Sequence, residues 1–454
     1  MASGVFDSAL LRHIWGTEEL AAIFSDENRV QKWLDYEAAL ALAQAELGII
    51  PQPAAREIAA QAKVENLDLE AIGAEIRRTK HALVPALRAL QERCRDGHGE
   101  YLHFGPTTQD VLDSGFMLQL KQAHAVFVHD LKEIGRALYS LAEAHQATPM
   151  AGRTHGVQAL PITFGHKCAV WLAEAMRNSQ RLALLSERTF VGSLVGAVGT
   201  QASLGDDAVA LEQRVMARLG LGVAEISWQS ARDRFADYAG ALGLIGGALA
   251  RIAREIITLS HNEIDEVAEP FDHGKVGSST MPHKRNPVVA EGVVAVGRAL
   301  RASVALMQEA LMVEHERDAS VWRLEWKALP EACMMTGAML AQMKQILGRL
   351  EVHPERMRRN LDVLGGFLLS ERIMFALADR IGKQSAHELV YEVAMRGITD
   401  GITFEQALLA DGRVKEAIGS ELPRLLDPAS YVGLAPAITA RVLAETRASG
   451  WLAP

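Results

Sequence analysis

Residues 235–259 read FADYAGALGLIGGALARIAREIITL, and this stretch decides the fold. Phe235, Leu242, Ile245, Leu249, Ile252, Ile256 and Leu259 recur at spacings of seven, three, four, three, four and three. That rhythm draws one apolar seam along a helix of roughly seven turns, facing other helices. Gly243, Gly246, Gly247, Ala248 and Ala250 lie in the same stretch. A glycine inside a helix costs about 1 kcal/mol relative to alanine, so the three glycines predict close helix–helix approach.

Outward from this helix, the chain has no proline between Pro161 and Pro270, a run of 108 residues. Two further proline-free runs, each of 42 residues, lie between Pro106 and Pro149 and between Pro287 and Pro330. Because an interior proline costs about 3 kcal/mol, such runs predict long helices. Phe127, Leu131, Ile134, Leu138 and Leu141 form a second seam in the first of the shorter runs. Near the start, Ser25-Asp26-Glu27-Asn28 reads as a helix cap, Trp33, Leu40 and Leu47 mark one face, and Gly48 with Pro51 stops the helix. Gly, Pro, Thr and Asp cluster at 97–110 and 147–163, and Gly, Ser and Pro at 270–287, which predicts loops. Turns are expected at Asp400-Gly401, Asp411-Gly412 and Asp427-Pro428. The pattern predicts an all-α protein with an N-terminal helical domain at 1–108, a central long-helix bundle at 109–350 and a C-terminal helical domain at 351–454. No tandem repeat is evident.

Composition narrows the function classes. The 454 residues are 49% hydrophobic and 23% charged, ordinary for a globular chain. A net charge of −9 argues against a nucleic-acid footprint. No apolar run of membrane-spanning length appears, and MASGVFDSALLRHIWGTEEL has no basic-then-apolar secretory pattern. Cys94, Cys168 and Cys333 are scattered and fit reduced thiols, so a cytoplasmic setting is expected.

Four clusters carry candidate chemistry. Gly277-Ser278-Ser279-Thr280-Met281-Pro282-His283-Lys284-Arg285-Asn286-Pro287 packs hydroxyls, cations and an amide where glycine and proline forbid a helix. Lys284, Arg285 and Asn286 could clamp a carboxylate, and a serine near cations gives up its proton more readily. In Gly152-Arg153-Thr154-His155-Gly156, His155 is a candidate acid or base, placed between a loop and a helix opening near Pro161. In His103-Phe104-Gly105-Pro106-Thr107-Thr108-Gln109-Asp110, hydroxyls precede a helix N-terminus, which suits an anion; an ordinary cap by Asp110 is the competing reading. Arg78-Thr79-Lys80-His81 reads by default as an exposed basic turn. Serine in Gly192-Ser193-Leu194-Val195-Gly196 is misplaced for a nucleophile elbow.

Together these clusters resemble the fumarase/aspartase superfamily. The 277–287 stretch matches its signature G-S-S-x-M-P-x-K-x-N-P without a gap, while Thr107-Thr108 and Gly152–His155 resemble its other two blocks. Within the superfamily, residues 149–165, Arg78–His81 and Arg232-Asp233-Arg234 resemble adenylosuccinate lyase. The tract from His315-Glu316-Arg317 through Trp322, Glu325 and Trp326 to Pro330 resembles 3-carboxy-cis,cis-muconate cycloisomerase, as do Phe6-Asp7 and Leu426-Asp427-Pro428. Those lyases carry an Arg-Tyr pair near the start and an arginine where Trp326 follows Glu325; both departures argue against a purine nucleotide. Glu291 stands thirteen positions after Ser278, where lyases of the superfamily place the carboxylate partner of the second-block histidine.

The resemblance implies a three-domain helical fold and a homotetramer with a twenty-helix core and sites shared between subunits. It implies anti β-elimination on a succinyl-type dicarboxylate, with C–N cleavage and release of fumarate. Ser278 would be the base, His155 oriented by Glu291 the acid, and His81 an assistant. Thr107, Thr108, Lys284, Asn286, Arg317, Gln229, Ser279 and Met281 would bind substrate. No metal or organic cofactor and no nucleic-acid or membrane partner is implied. Lactonising cycloisomerase activity is the alternative. A helical scaffold without chemistry is disfavoured because Ser278, His155 and Lys284 are all present. Gly274 and Gly277 predict a 270–287 loop free to close over substrate.

Overall fold

The computed structural model describes residues 4–271, 280–281 and 283–453. The expectations for Ser278, Ser279, Gly274 and Gly277 therefore lie outside the described residues. The long proline-free runs fold as expected. Helices span Thr108–Ala144, Phe164–Thr189, Asp233–Leu259, Val288–Glu309 and Ala319–Leu347. Their seams are buried: Phe127, Ile134, Leu138, Phe235, Leu242, Ile256 and Leu259 are all 0% exposed. The Asp26–Glu46 helix begins where the cap predicts, with Ser25 Oγ accepting from Asn28 N at 3.2 Å. The remaining described structure is shorter helices and two two-stranded sheets, so the all-α expectation holds. Among the described residues no helix is long and apolar enough to cross a membrane.

The chain divides into two compact units. One comprises Met1–Asp130, Asn178–Leu249 and Ala295–Ala341; the other comprises Leu131–Arg177, Ala250–Val294 and Gln342–Pro454. In the first unit, a Cβ on Gly243 would sit 3.2 Å from Val304 and one on Gly246 would sit 2.4 Å from Leu300, the expected close approach. Gly247 departs from the expectation, since nothing lies within 4 Å of a Cβ built there. In the second unit, Ile373, Leu377, Val393, Phe404, Leu408 and Val414 form the core of the C-terminal helices. Thr403 opens one of these helices with a capping box to Gln406.

Two sequence expectations are corrected. The stretch 147–163 is not a loop: Pro149–Thr154 and Val157–Thr163 pair as an antiparallel hairpin, and the helix starts at Phe164 rather than near Pro161. The hairpin turn is His155-Gly156, with φ of 53° and 83°, the double positive φ of a type I′ two-residue turn. Pro330 lies inside a helix, since Ala319–Leu347 runs through it. Packing outweighs the lost hydrogen bond there: Ala328, Leu329 and Ala332 are 0% exposed.

Where hairpin meets helix, Gly165 N donates to His145 O at 2.8 Å. A Cβ at Gly165 would lie 2.6 Å from the carbonyl oxygens of both Ala142 and His145. Backbone cannot yield as a side-chain tip can. Gly165→Ala is expected to destabilise by about 1–3 kcal/mol or more. Denaturant unfolding would check this, and an unchanged midpoint would contradict it.

Candidate active site

The sequence-predicted residues fall in both units. In the first they gather at the N-terminus of the Thr108–Ala144 helix. The Leu69–Thr79 helix ends on Lys80 in a left-handed conformation, φ 60°, which turns His81 inward. His81 Nδ1 accepts from Val84 N at 3.1 Å, so the neutral ring carries its proton on Nε2. That Nε2 lies 3.5 Å from Thr108 Oγ1. The exposed basic turn is therefore half-buried at its histidine, facing the expected anion site. Arg317 reaches the same place: Nε donates to Gln109 Oε1 at 2.8 Å, and Nη2 donates to Thr107 Oγ1 at 3.2 Å and Ala197 O at 2.9 Å. A helix N-terminus, two threonine hydroxyls, an imidazole N–H and a guanidinium thus converge, a donor set suited to a carboxylate.

Gln229 lies deeper. Its Nε2 donates to Gly196 O at 3.0 Å and Asp110 Oδ1 at 3.4 Å. Its Oε1 is buried with no hydrogen-bond partner among the described residues. Asp110 acts structurally: it accepts from the backbone N–H groups of Thr107 (3.0 Å), Val195 (3.1 Å) and Gly196 (3.0 Å) and from Ser193 Oγ (2.7 Å). It fixes the threonine loop and leaves the hydroxyls to other partners. Burial raises its pKa, against the pull of those hydrogen bonds.

Beneath this layer is a buried ion cluster that the sequence reading did not find. Gln109 Nε2 donates to Asp113 Oδ2 at 3.1 Å. Arg232 binds Asp113 at 2.7 and 3.0 Å and Glu325 at 2.8 and 2.6 Å. Trp322 Nε1 adds a bond to Asp113 at 3.1 Å. The Arg232 guanidinium also packs over Trp228 and Phe235, 5.1 and 5.0 Å from the ring centres. Burial opposes its charge, but the two carboxylates outweigh burial and hold it protonated. Burial, helped by Asp113, raises the Glu325 pKa despite Arg232. A chain of contacts runs from Arg317 through Gln109 and Asp113 to Arg232 and Glu325. The signal available was a glutamine and an aspartate at i and i+4 on a helix otherwise apolar on that face.

The loop carrying the threonines has a second anchor. His103, at φ 55°, places Nδ1 2.7 Å from Glu37 Oε1, and Glu37 is 1% exposed. Burial lowers the His103 pKa, but the hydrogen bond and charge of Glu37, with Asp110, outweigh it and leave the pKa raised. The stabilisation from His103 is therefore complete below the unfolded imidazole pKa of about 6.5 and is lost as pH rises through the raised folded value. His103→Asn, which tolerates the left-handed backbone, should cost about 1–3 kcal/mol at pH 6 and distinctly less at pH 9. Denaturant midpoints at the two pH values check this; a cost that grows with pH would reverse the sign.

The second unit holds His155, Met281, Lys284, Asn286 and Glu291. His155 is exposed at the hairpin tip. Arg153 holds the hairpin, binding buried Glu266 at 3.0 and 2.7 Å, while Asn360 Nδ2 donates to Glu266 at 2.9 Å. Glu291 is exposed in the first turn of the Val288–Glu309 helix. Among the described residues no hydrogen bond or ion pair joins the side chains of His155 and Glu291. Lys284 and Met281 are exposed and Asn286 half-buried. Arg285 leaves the expected carboxylate clamp: it binds Glu351 at 2.8 and 2.7 Å and Glu269 O at 2.8 Å. An internal carboxylate already occupies its fork.

Residues 15–301 match the family described as Lyase, and residues 366–442 match the adenylosuccinate lyase C-terminus. The chain belongs to the fumarase/aspartase superfamily. It is an enzyme of the lyase type that this superfamily represents. It is 45% identical to an N-acetyl-S-(2-succino)cysteine lyase from Dickeya dadantii, covering 100% of both chains. It is 40% identical to a 3-carboxy-cis,cis-muconate cycloisomerase from Pseudomonas aeruginosa, covering 95% of each. The crystal structure of 3-carboxy-cis,cis-muconate lactonizing enzyme from Pseudomonas putida matches with a TM-score of 0.92 and 35% identity, over 97% of this chain and 99% of that one.

Proposed function

We propose that this lyase performs anti β-elimination on a succinyl-type dicarboxylate, releasing fumarate and a heteroatom leaving group. The observation that carries the proposal is the convergence of Thr107, Thr108, His81 and Arg317 at one helix N-terminus, a site for one substrate carboxylate. Ser278 removes the proton on the carbon next to the other carboxylate. The electron pair spreads into that carboxylate, where Lys284 and Asn286 stabilise it with Ser279 and Met281 alongside. The pair then forms the C=C bond as the carbon–heteroatom bond breaks. His155, oriented by Glu291, gives the leaving atom its proton. Gln229 is a further substrate-binding residue, its buried Oε1 having no hydrogen-bond partner among the described residues.

The sequence reading placed nitrogen at the leaving position. The name of the Dickeya dadantii relative supports sulfur instead, and the lack of an Arg-Tyr nucleotide grip agrees with a small leaving group. The enzyme is proposed to work in the cytoplasm as a homotetramer with a twenty-helix core and shared sites, and a monomer by light scattering would contradict that. The boundaries near 108 and 350 are kept as the proposed domain limits. Cycloisomerase activity is the second reading, favoured by the resemblance of the 315–330 tract and by the Pseudomonas relatives. The deciding experiment assays fumarate release from S-succinyl and N-succinyl compounds beside turnover of a carboxymuconolactone. Lactone turnover with no fumarate from any succinyl compound would overturn elimination.

A further inference from the structure

Arg153 and Gln158 face each other across the 149–163 hairpin, one pair below the His155-Gly156 turn. Both reach the same anchor. Arg153 binds the two oxygens of Glu266 with its two terminal nitrogens, at 2.7 and 3.0 Å, and Gln158 Nε2 donates to Asn360 O at 2.9 Å. Asn360 closes the set, its Nδ2 donating to Glu266 Oε1 at 2.9 Å and to Ile264 O at 2.7 Å. Each strand of the hairpin is thus tied down just beneath the tip, and a bidentate guanidinium fixes direction as well as distance. His155 stands two residues beyond Arg153, about 7 Å of extended chain. A register shift between Ala151 and Arg153 leaves Gly152 as an extra residue in the first strand, a device that re-aims the side chains after it. A Cβ at Gly152 would lie 2.9 Å from Leu160 O, so the close approach there takes glycine.

The anchor is itself firmly held. Glu266 is 0% exposed and Asn360 4%. The Glu266 backbone is bound on both sides: its N donates to Leu259 O at 2.9 Å and its O accepts from His353 N at 3.0 Å. The next two residues, Val267–Ala268, pair with Glu351–Val352. Glu269 then accepts from Ala290 N at 2.6 Å and Val289 N at 3.3 Å, in the first turn of the Val288–Glu309 helix. The carboxylate that grips the hairpin therefore sits on backbone fixed by a helix end, a strand pair and a second helix start.

We propose that Glu266 is a positioning residue for the proton donor, setting the reach of His155 through Arg153. The inference rests on the elimination proposed above, in which His155 protonates the leaving atom. His155 is exposed at the tip of a two-residue turn, so its ring is aimed from below, by the pair of ties at Arg153 and Gln158. A misplacement of about 1 Å is worth about 100-fold in rate. Loosening the anchor slows departure of the leaving group and leaves removal of the carbon-bound proton in place.

The test measures two ratios in each protein: kcat/KM for an S-succinyl over an N-succinyl compound, and deuterium uptake at the substrate carbon over turnover. Both are internal to one protein, so a variant that folds only in part does not move them. His155→Ala is the reference and is expected to raise both. Glu266→Gln keeps the side-chain volume and gives up the charge that grips Arg153. It should raise both ratios in the same direction, the first by about tenfold, part of the cost of a 1 Å misplacement. Gln158→Met, which cuts the second tie and leaves the ion pair intact, should do the same more weakly. Added to His155→Ala, Glu266→Gln should raise neither ratio further, because the group it positions is already gone. A Glu266→Gln variant that slows both substrates equally, with uptake over turnover unchanged, would overturn the inference and leave Glu266 serving the fold alone. So would a further rise in the double variant. If His155→Ala itself leaves both ratios unchanged, the assignment of His155 as the acid falls, and the positioning role with it.

Discussion

In deuterated water, Ser278→Ala is expected to lose both turnover and exchange of the substrate's carbon-bound proton with solvent. His155→Ala should lose turnover yet keep part of that exchange. The asymmetry follows from the order of the steps. A proton next to a carboxylate is weakly acidic, so a carbanion forms and can return before the leaving group departs. Removing the base stops both outcomes, whereas removing the acid stops only departure. General acid–base groups are worth about 10²–10⁴-fold each, and losses of that size are expected in kcat. The leaving atom grades the histidine effect. A thiol, with a pKa of about 8.5, departs as an anion far more readily than an amine nitrogen, so the S-succinyl substrate should lose less activity in His155→Ala than an N-succinyl one. Glu291→Gln should follow His155→Ala in direction but more weakly, because it leaves the imidazole in place. Isotope exchange surviving in Ser278→Ala and vanishing in His155→Ala would exchange the roles of base and acid.

How far the sequence could be read depended on whether the signal was local. The seam from Phe235 to Leu259 predicts its helix because burial along one face repeats with the helical period. Ser25 predicts a helix start because its hydroxyl satisfies an amide three residues on. The 149–163 hairpin was hidden because Gly152, Thr154 and Gly156 read as loop chemistry, while the pairing that makes them strands is set by residues across the turn. Pro330 sits inside a helix for a related reason, since the packing around it outweighs its local cost. In the candidate site, the sequence singles out His81, Thr107, Thr108 and Arg317, and the first unit brings these four together. Arg285 sits in the same motif as Lys284 and Asn286, and only the fold reveals that Glu351 takes its charge. Asp113 and Glu325 were invisible as partners because they are 212 positions apart and meet only through Arg232.

That cluster carries the largest expected effect on stability. Arg232→Met removes the guanidinium that bridges Asp113 and Glu325, which are 1% and 0% exposed. Two buried carboxylates would then face each other without a counter-charge, and breaking a buried pair in this way costs about 3–5 kcal/mol. The Glu325 pKa, already raised by burial, should rise further, so the deficit shrinks as pH falls and the carboxyl takes up a proton. The triple variant Arg232→Met, Asp113→Leu, Glu325→Leu replaces all three charges with apolar volume. It should recover most or all of the lost stability, because desolvating an ion triad offsets much of its attraction. Function separates from stability at this point. Gln109 leans on Asp113 and in turn orients Arg317 over Thr107, so the triple variant should fold well and still bind the dicarboxylate poorly. The expected signature is a restored denaturation midpoint with KM raised about tenfold or more, the loss of one well-oriented charged hydrogen bond. A triple variant with wild-type KM would show that the buried ions serve the fold alone and that Arg317 needs no support from beneath.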